Sequence, residues 1–140
     1  MSLSDVLATR FPVSIKGVLN VGGRIVLLRN ERDEWELPGG KLEAGEDPRE
    51  CVERELMEEL NVHTTATRLL DAWLYDVLGQ VEVLIVTYAM QPLGSDTVLH
   101  ISDEHRELGL YPPEEIAGLN MPEGYKRAIA LYHDMDVSSR

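Results

Sequence analysis

The 140-residue chain has one cysteine, one phenylalanine and 13 lysines and arginines, and no aliphatic run in it exceeds four residues. Each scarcity excludes something. The lone Cys51 can close no intramolecular disulfide and builds no sulfur-rich zinc site, which fits a reducing, cytoplasmic compartment. Val83-Leu84-Ile85-Val86 falls far short of the roughly 20 apolar residues a membrane-spanning helix needs. Met1 to Arg10 lacks a basic segment followed by an apolar stretch, so no signal peptide is expected. Against the few cations stand 25 Asp and Glu, a formal charge of -12. That charge repels a phosphate backbone and argues against non-specific nucleic-acid binding. A small anionic substrate would need metal ions to bridge it to such a surface.

What is present suits one globular unit. Hydrophobic residues make up 44% and charged residues 27%, enough apolar content to fold. No repeat, low-complexity block or linker divides the chain, so residues 1–140 read as a single domain. The acid is concentrated: residues 31–60 hold 12 Asp and Glu against 4 Lys and Arg, which is 8 of the 12 net negative charges.

Val13 to Leu19 and Ile25 to Arg29 are β-branched and aliphatic runs around Asn20-Val21-Gly22-Gly23, a hairpin signal. Trp35 to Leu37 follows, and Pro38-Gly39-Gly40 opens a loop expected to run to Glu46. Asp47 reads as an N-cap, Pro48 as the first helical residue and Glu50 as a capping-box partner. The helix spans Asp47 to Leu60, with Cys51, Val52, Leu56 and Leu60 on its apolar face and Asn61 closing it in the left-handed region. Arg68 to Leu78 and Val81 to Met90, around Gly79-Gln80, are long strands expected at the centre of the sheet. Leu108 to Tyr111 reads as a short strand, Pro112 to Ile116 as the start of a short helix, and Pro122 to Met135 as a last helix burying Tyr125, Ala128, Ile129 and Tyr132. Interleaved strands and helices imply an α/β fold, a mixed sheet covered by helices on both faces.

Glu55, Glu58 and Glu59 stand at i, i+3 and i+4, so their side chains leave one face of the helix and can converge on one point. Taken alone, such a run is also the pattern of a solvated acidic face. Clustered carboxylates with no histidine or cysteine beside them favour Mg²⁺ or Mn²⁺ over zinc. His63, His100 and His133 show no paired ligand spacing, which argues against a zinc site.

Gly40, Glu46, Arg54, Glu55, Leu56, Glu58, Glu59 and Val62 resemble the Nudix box, a glycine, five residues, a glutamate, seven residues, then Arg-Glu-apolar-x-Glu-Glu-x-Gly-apolar. One defined position differs: Asn61 replaces the glycine, and both types tolerate a left-handed turn. The resemblance implies a Nudix-like α/β/α sandwich across nearly the whole chain. It also implies Mg²⁺, with Mn²⁺ as a substitute, held by Glu58 and Glu59, with Glu55 sharing the metal or accepting a proton from water, and the Gly39 carbonyl as a further ligand. Arg54 would orient one of these carboxylates through a bidentate pair, and Glu46 would brace the loop. Glu104, in Ser102-Asp103-Glu104-His105-Arg106-Glu107, stands where relatives carry a further metal ligand or general base, with Glu107 as its alternative and His105 as a proton shuttle or a loop hydrogen-bonder.

The implied activity is hydrolysis of a nucleoside diphosphate linked to another moiety, by water attack at phosphorus, with ADP-ribose or a nucleotide sugar favoured. The alternatives are a nucleoside triphosphate pyrophosphohydrolase and a non-catalytic nucleotide-sensing module. Since members pair as dimers, the resemblance extends to a homodimer. Trp73, Tyr75 and Tyr88 read as core or interface rather than a base-stacking platform, and Lys16 and Arg29 as surface charges.

Overall fold

The computed structural model describes residues 2–3, 10–94, 97–101 and 107–138. Strands β1 (Val13–Val21) and β2 (Arg24–Arg29) form the first hairpin. Gly22 and Gly23 take φ of 62° and 84° in its turn, the positive values a two-residue connection requires. Asn20 Oδ1 accepts the Gly23 N–H at 2.9 Å. Next come β3 (Trp35–Glu36), β4 (Gly39–Lys41), helix α1 (Pro48–Leu60), β5 (Thr64–Val77), β6 (Val81–Pro92), β7 (Glu107–Tyr111), a 3-10 turn (Pro113–Gly118) and helix α2 (Glu123–Ser138).

The strand order is β3-β2-β1-β6-β5, with β4 also on β1 and β7 also on β2. The sheet is mixed: β1 runs parallel to β6 over Val13–Leu19 and antiparallel to β4 and β2. Strand β1 is therefore the centre and β5 an edge, which corrects the expectation that β5 and β6 together form the middle. Parallel pairing with β1 encloses β6 on both sides, whereas β5 keeps Arg68 and Asp76 exposed, as an edge strand should. The loop expected from Pro38 is interrupted as well, because Gly39–Lys41 pairs with Ser14–Lys16. Gly39, at φ 143°, lies so close to β1 that a Cβ there would collide with the Ile15 carbonyl oxygen.

Helix α1 forms as its local sequence dictates. Asp47 accepts the N–H groups of Arg49 at 2.8 Å and Glu50 at 3.4 Å, satisfying donors left free at a helix start. Asn61 ends the helix at φ 55°, its N–H bonded to the Met57 carbonyl. The apolar face, Cys51, Val52, Leu56 and Leu60, is fully buried against Ile15, Leu19, Val26, Leu28 and Tyr88. Each such aliphatic side chain contributes roughly 1.5–3 kcal/mol by leaving water. On the opposite face of the sheet, Tyr125 and Ile129 of α2 pack with Val18, Ile25, Leu27, Trp35 and Ile85. The result is an α/β/α sandwich whose first helix is anchored by its apolar face and leaves its acidic residues beside β4.

Candidate active site

Arg54 organises the acidic side of α1. Its Nε donates to Glu46 Oε2 at 2.7 Å and its Nη2 to Glu46 Oε1 at 3.1 Å, a two-point fork. Its Nη1 donates to Glu55 Oε1 at 3.1 Å and to both oxygens of Glu58 at 3.2 Å. The two-nitrogen fork thus goes to Glu46, eight residues back, while the helix carboxylates Glu55 and Glu58 are held through Nη1 alone. Glu46 Oε1 also accepts the Glu43 N–H at 3.2 Å, so one guanidinium ties the loop before α1 to the helix itself. The Arg54 hydrogen bond is the main reason the Glu46 carboxyl is held down to about 2.

The three helix glutamates occupy different environments. Glu58 is exposed on the rim. Glu55 is half-buried, its carboxylate against the Gly40 backbone, where a Cβ would stand 2.5 Å from Cδ. Desolvation raises the Glu55 carboxyl above its ordinary value, with the Glu58 charge adding to the rise and Arg54 opposing it. Glu59 is 5% exposed and accepts the Gly39 N–H at 2.7 Å. Two residues the resemblance assigns to metal are therefore bonded to each other. Among the described residues no three His, Cys, Asp or Glu side chains stand close enough together to hold one ion, so the convergence expected of Glu55, Glu58 and Glu59 is incomplete. A buried carboxylate needs a donor, and Glu59 finds it in the backbone of β4.

Glu104 and His105 lie outside the described residues. Glu107 is described, and its Oε1 accepts from Arg29 Nη1 at 3.2 Å. Arg29 also pairs with Asp33 at 2.9 Å and lies 5.6 Å from the Trp35 ring centre, so it is engaged within the fold. Lys16 corrects the surface reading more sharply: it is 8% exposed, on the face of β1 that Tyr125 covers, with its Nζ 6.0 Å from that ring's centre. A lysine inside the otherwise uncharged, largely aliphatic stretch Ile15 to Leu19 was the signal that could have revealed it. Trp73 stacks on Tyr75 at 5.3 Å and meets Tyr125 edge-on at 5.2 Å. The Tyr75 hydroxyl donates to Glu34 Oε1 at 3.1 Å, and Arg32 Nε donates to the same oxygen at 3.1 Å. Tyr88 belongs to the core beside α1. Burial pushes the Cys51 thiol up to about 12, Glu46 adding to the effect, so it serves as packing rather than as a nucleophile. A cavity of about 570 Å³ lies elsewhere, between the 3-10 turn and α2, lined by Ile116, Lys126 and Ile129 among others.

The NUDIX domain family profile matches residues 9–133. The chain belongs to the Nudix hydrolase family. A MutT-like protein of Streptomyces ambofaciens is 30% identical over 126 residues, 89% of this chain and 77% of that protein. An 8-oxo-dGTP diphosphatase of Proteus vulgaris is 48% identical over 42 residues, 30% of this chain and 38% of that enzyme. The fold is that of the MutT protein from Methanosarcina mazei Go1, at a TM-score of 0.74 and 23% identity, covering 94% of this chain and 97% of that one. Within the Nudix box, Asn61 occupies its left-handed turn at φ 55° without breaking α1. No helix among the described residues is long and apolar enough to cross a membrane.

Proposed function

We propose that this Nudix protein hydrolyses a phosphoanhydride within a nucleoside diphosphate derivative, using divalent metal ions. The observation that carries the reading is an imbalance of charge. Among the described residues, Glu43, Glu46, Glu55 and Glu58 share the single Arg54 guanidinium. Four carboxylates on one cation leave an excess of negative charge on this side of α1. The donors are all hard oxygens, which fits Mg²⁺, with Mn²⁺ as a substitute, better than a softer metal. Glu58, Glu59, Glu55 and the Gly39 carbonyl would hold the ions, with Glu104 as a further contributor. When bound, such an ion supplies charge neutralisation of the diphosphate and a bound water of lowered pKa.

The chain's own groups then divide the work. Glu55, its proton affinity raised by desolvation, takes the proton of the attacking water. Arg54 orients Glu55 and Glu58 while its fork to Glu46 keeps the loop in place. The Glu59 bond to Gly39 sets the position of β4 against α1. Attack of water on one phosphorus, in line with the bridging oxygen, forms a P–O bond as the anhydride P–O bond breaks, and releases a nucleoside monophosphate and the phosphorylated remainder.

A nucleoside diphosphate linked to a sugar carries about two negative charges, against about four on a nucleoside triphosphate, so it meets less repulsion at this acidic site. ADP-ribose or a nucleotide sugar is accordingly the favoured class. The similarity to an 8-oxo-dGTP diphosphatase over 42 residues supports nucleoside triphosphates as the second reading. The test incubates the protein with Mg²⁺ and a panel of both classes and separates the products. Nucleoside monophosphate with sugar phosphate supports the first reading, and nucleoside monophosphate with pyrophosphate the second. Ligand-induced stabilisation with no product from any compound would replace both by a nucleotide sensor.

A further inference from the structure

Helix α1 has a second polar flank, outside the acidic face described above. Glu53 Oε2 accepts the Ala66 N–H at 2.8 Å, and Arg49 Nη1 donates to the Ala66 carbonyl at 3.0 Å. Both backbone groups of one β5 residue are thus held by side chains one helical turn apart. An edge strand such as β5 turns alternate N–H and C=O groups away from its neighbour, and its register with β6 shifts at a bulge between Ala66 and Arg68. Arg49 also lies 5.2 Å from the centre of the Tyr88 ring, and Ala66 and Tyr88 both belong to the core beneath α1. At about 100° per residue, Arg49 and Glu53 stand about 120° round the helix from Glu55 and Glu59, each pair six residues apart. The buried Val52 and Leu56 lie between these flanks. One flank is tied to β5 through Ala66, and the other to β4 through the 2.7 Å bond from Gly39 N–H to Glu59. Apolar burial holds a helix down without direction, whereas hydrogen bonds fix its rotation.

We propose that Glu53 and Arg49 are positioning residues, whose grip on the Ala66 backbone fixes the rotation of α1 about its axis and so the presentation of Glu55 and Glu59 to β4. The assignment rests on the reading of Glu55 as proton acceptor and Glu59 as metal ligand, and both positioning residues act through the helix. A roll of about 10° carries a carboxylate about 6 Å from the helix axis through about 1 Å. A shift of that size costs about a hundredfold in rate. Glu53 is half-buried and Arg49 exposed, so water reaches the Ala66 groups when either side chain is cut back, and the fold survives. The effect therefore falls on the far flank of the helix, which neither residue contacts.

The experiment compares E53M, E53Q and R49M with the wild type, by thermal unfolding and amide hydrogen exchange of the metal-free protein, then by Mn²⁺ titration without nucleotide and by kcat and KM. E53M should melt within a few degrees of wild type. Its Gly39 amide, bonded to Glu59 on the opposite flank, should exchange at least about tenfold faster while exchange within β1 and β6 stays unchanged. Mn²⁺ binding should weaken about tenfold, the scale of losing a group that orients a ligand, and kcat should fall with little change in KM. E53Q keeps an oxygen that accepts the Ala66 N–H and should recover most of both properties. R49M should move each readout the same way by less, since its arginine is exposed. Wild-type Gly39 exchange in folded E53M, or an E53Q as impaired as E53M, would overturn the proposal. Should E53M fail to fold, R49M decides: faster Gly39 exchange supports the role and an unchanged rate refutes it. Absence of Mn²⁺ binding and of turnover in the wild type would remove the hydrolase reading, while Gly39 exchange still decides whether Glu53 and Arg49 set the rotation of α1.

Discussion

Gly40→Ala places one methyl group against the Glu55 carboxylate, the proposed proton acceptor. The new Cβ would stand 2.5 Å from Glu55 Cδ and 2.6 Å from each of its oxygens. To regain ordinary van der Waals separation the carboxylate must retreat by about 0.9 Å. It is the end of a flexible side chain, so the fold absorbs the change through a shifted rotamer at a cost of about 0.5–1.5 kcal/mol. Chemistry is less forgiving, because a displacement near 1 Å costs about a hundredfold in rate, equivalent to about 2.7 kcal/mol of barrier. The neighbouring glycine provides the contrast. Gly39 sits at φ 143° with rigid β1 backbone where its Cβ would be, so Gly39→Ala should detach β4 and unfold that edge. The assay pairs thermal unfolding with kcat on whichever nucleotide the wild type cleaves. Gly40→Ala should melt within a few degrees of wild type and turn over about a hundredfold more slowly. Full activity would remove Glu55 from the reaction, and gross unfolding would show that the Gly40 contact is structural.

Glu58→Gln should keep the melting temperature, since the residue is exposed and such substitutions stay within about 0.5 kcal/mol, yet lose at least about a hundredfold in kcat; a lowered melting temperature would mark a structural acid instead. Arg54→Met strands Glu46 and frees the loop, and should cost about 1–2 kcal/mol by urea unfolding, the partial exposure of the arginine moderating the loss; an unchanged midpoint would show the fork to be idle. The Glu46 carboxyl is depressed to about 2 from 4.5, so its contribution to stability is complete above pH 4.5 and fades as pH falls towards 2; acid titration of the wild type should show this component and Arg54→Met should lack it. Because desolvation raises the Glu55 carboxyl in the metal-free protein, its side-chain NMR signal without metal should titrate above the ordinary glutamate value, and an ordinary or lowered titration would show that the Arg54 charge outweighs burial.

Local chemistry made much of this protein readable in its sequence. Asp47, Pro48 and Asn61 bound α1 within a residue of where the helix is found, because caps act on their own neighbours. The hairpin at Gly22-Gly23 and the run of Glu55, Glu58 and Glu59 behind Arg54 were legible for the same reason. Contacts between distant segments were not. That Arg54 would add Glu46 to the helix glutamates depended on how the loop folds back, and the sheet order depended on β6 joining β1 in parallel. Periodicity assigns a residue to a face, and it leaves open what covers that face. Only the tertiary structure decided that Tyr125 closes over Lys16 and that Glu59 turns inward to Gly39, 20 residues away in sequence. Buried charges find partners by proximity in the fold, and the strand order that creates this proximity is not written in any one segment.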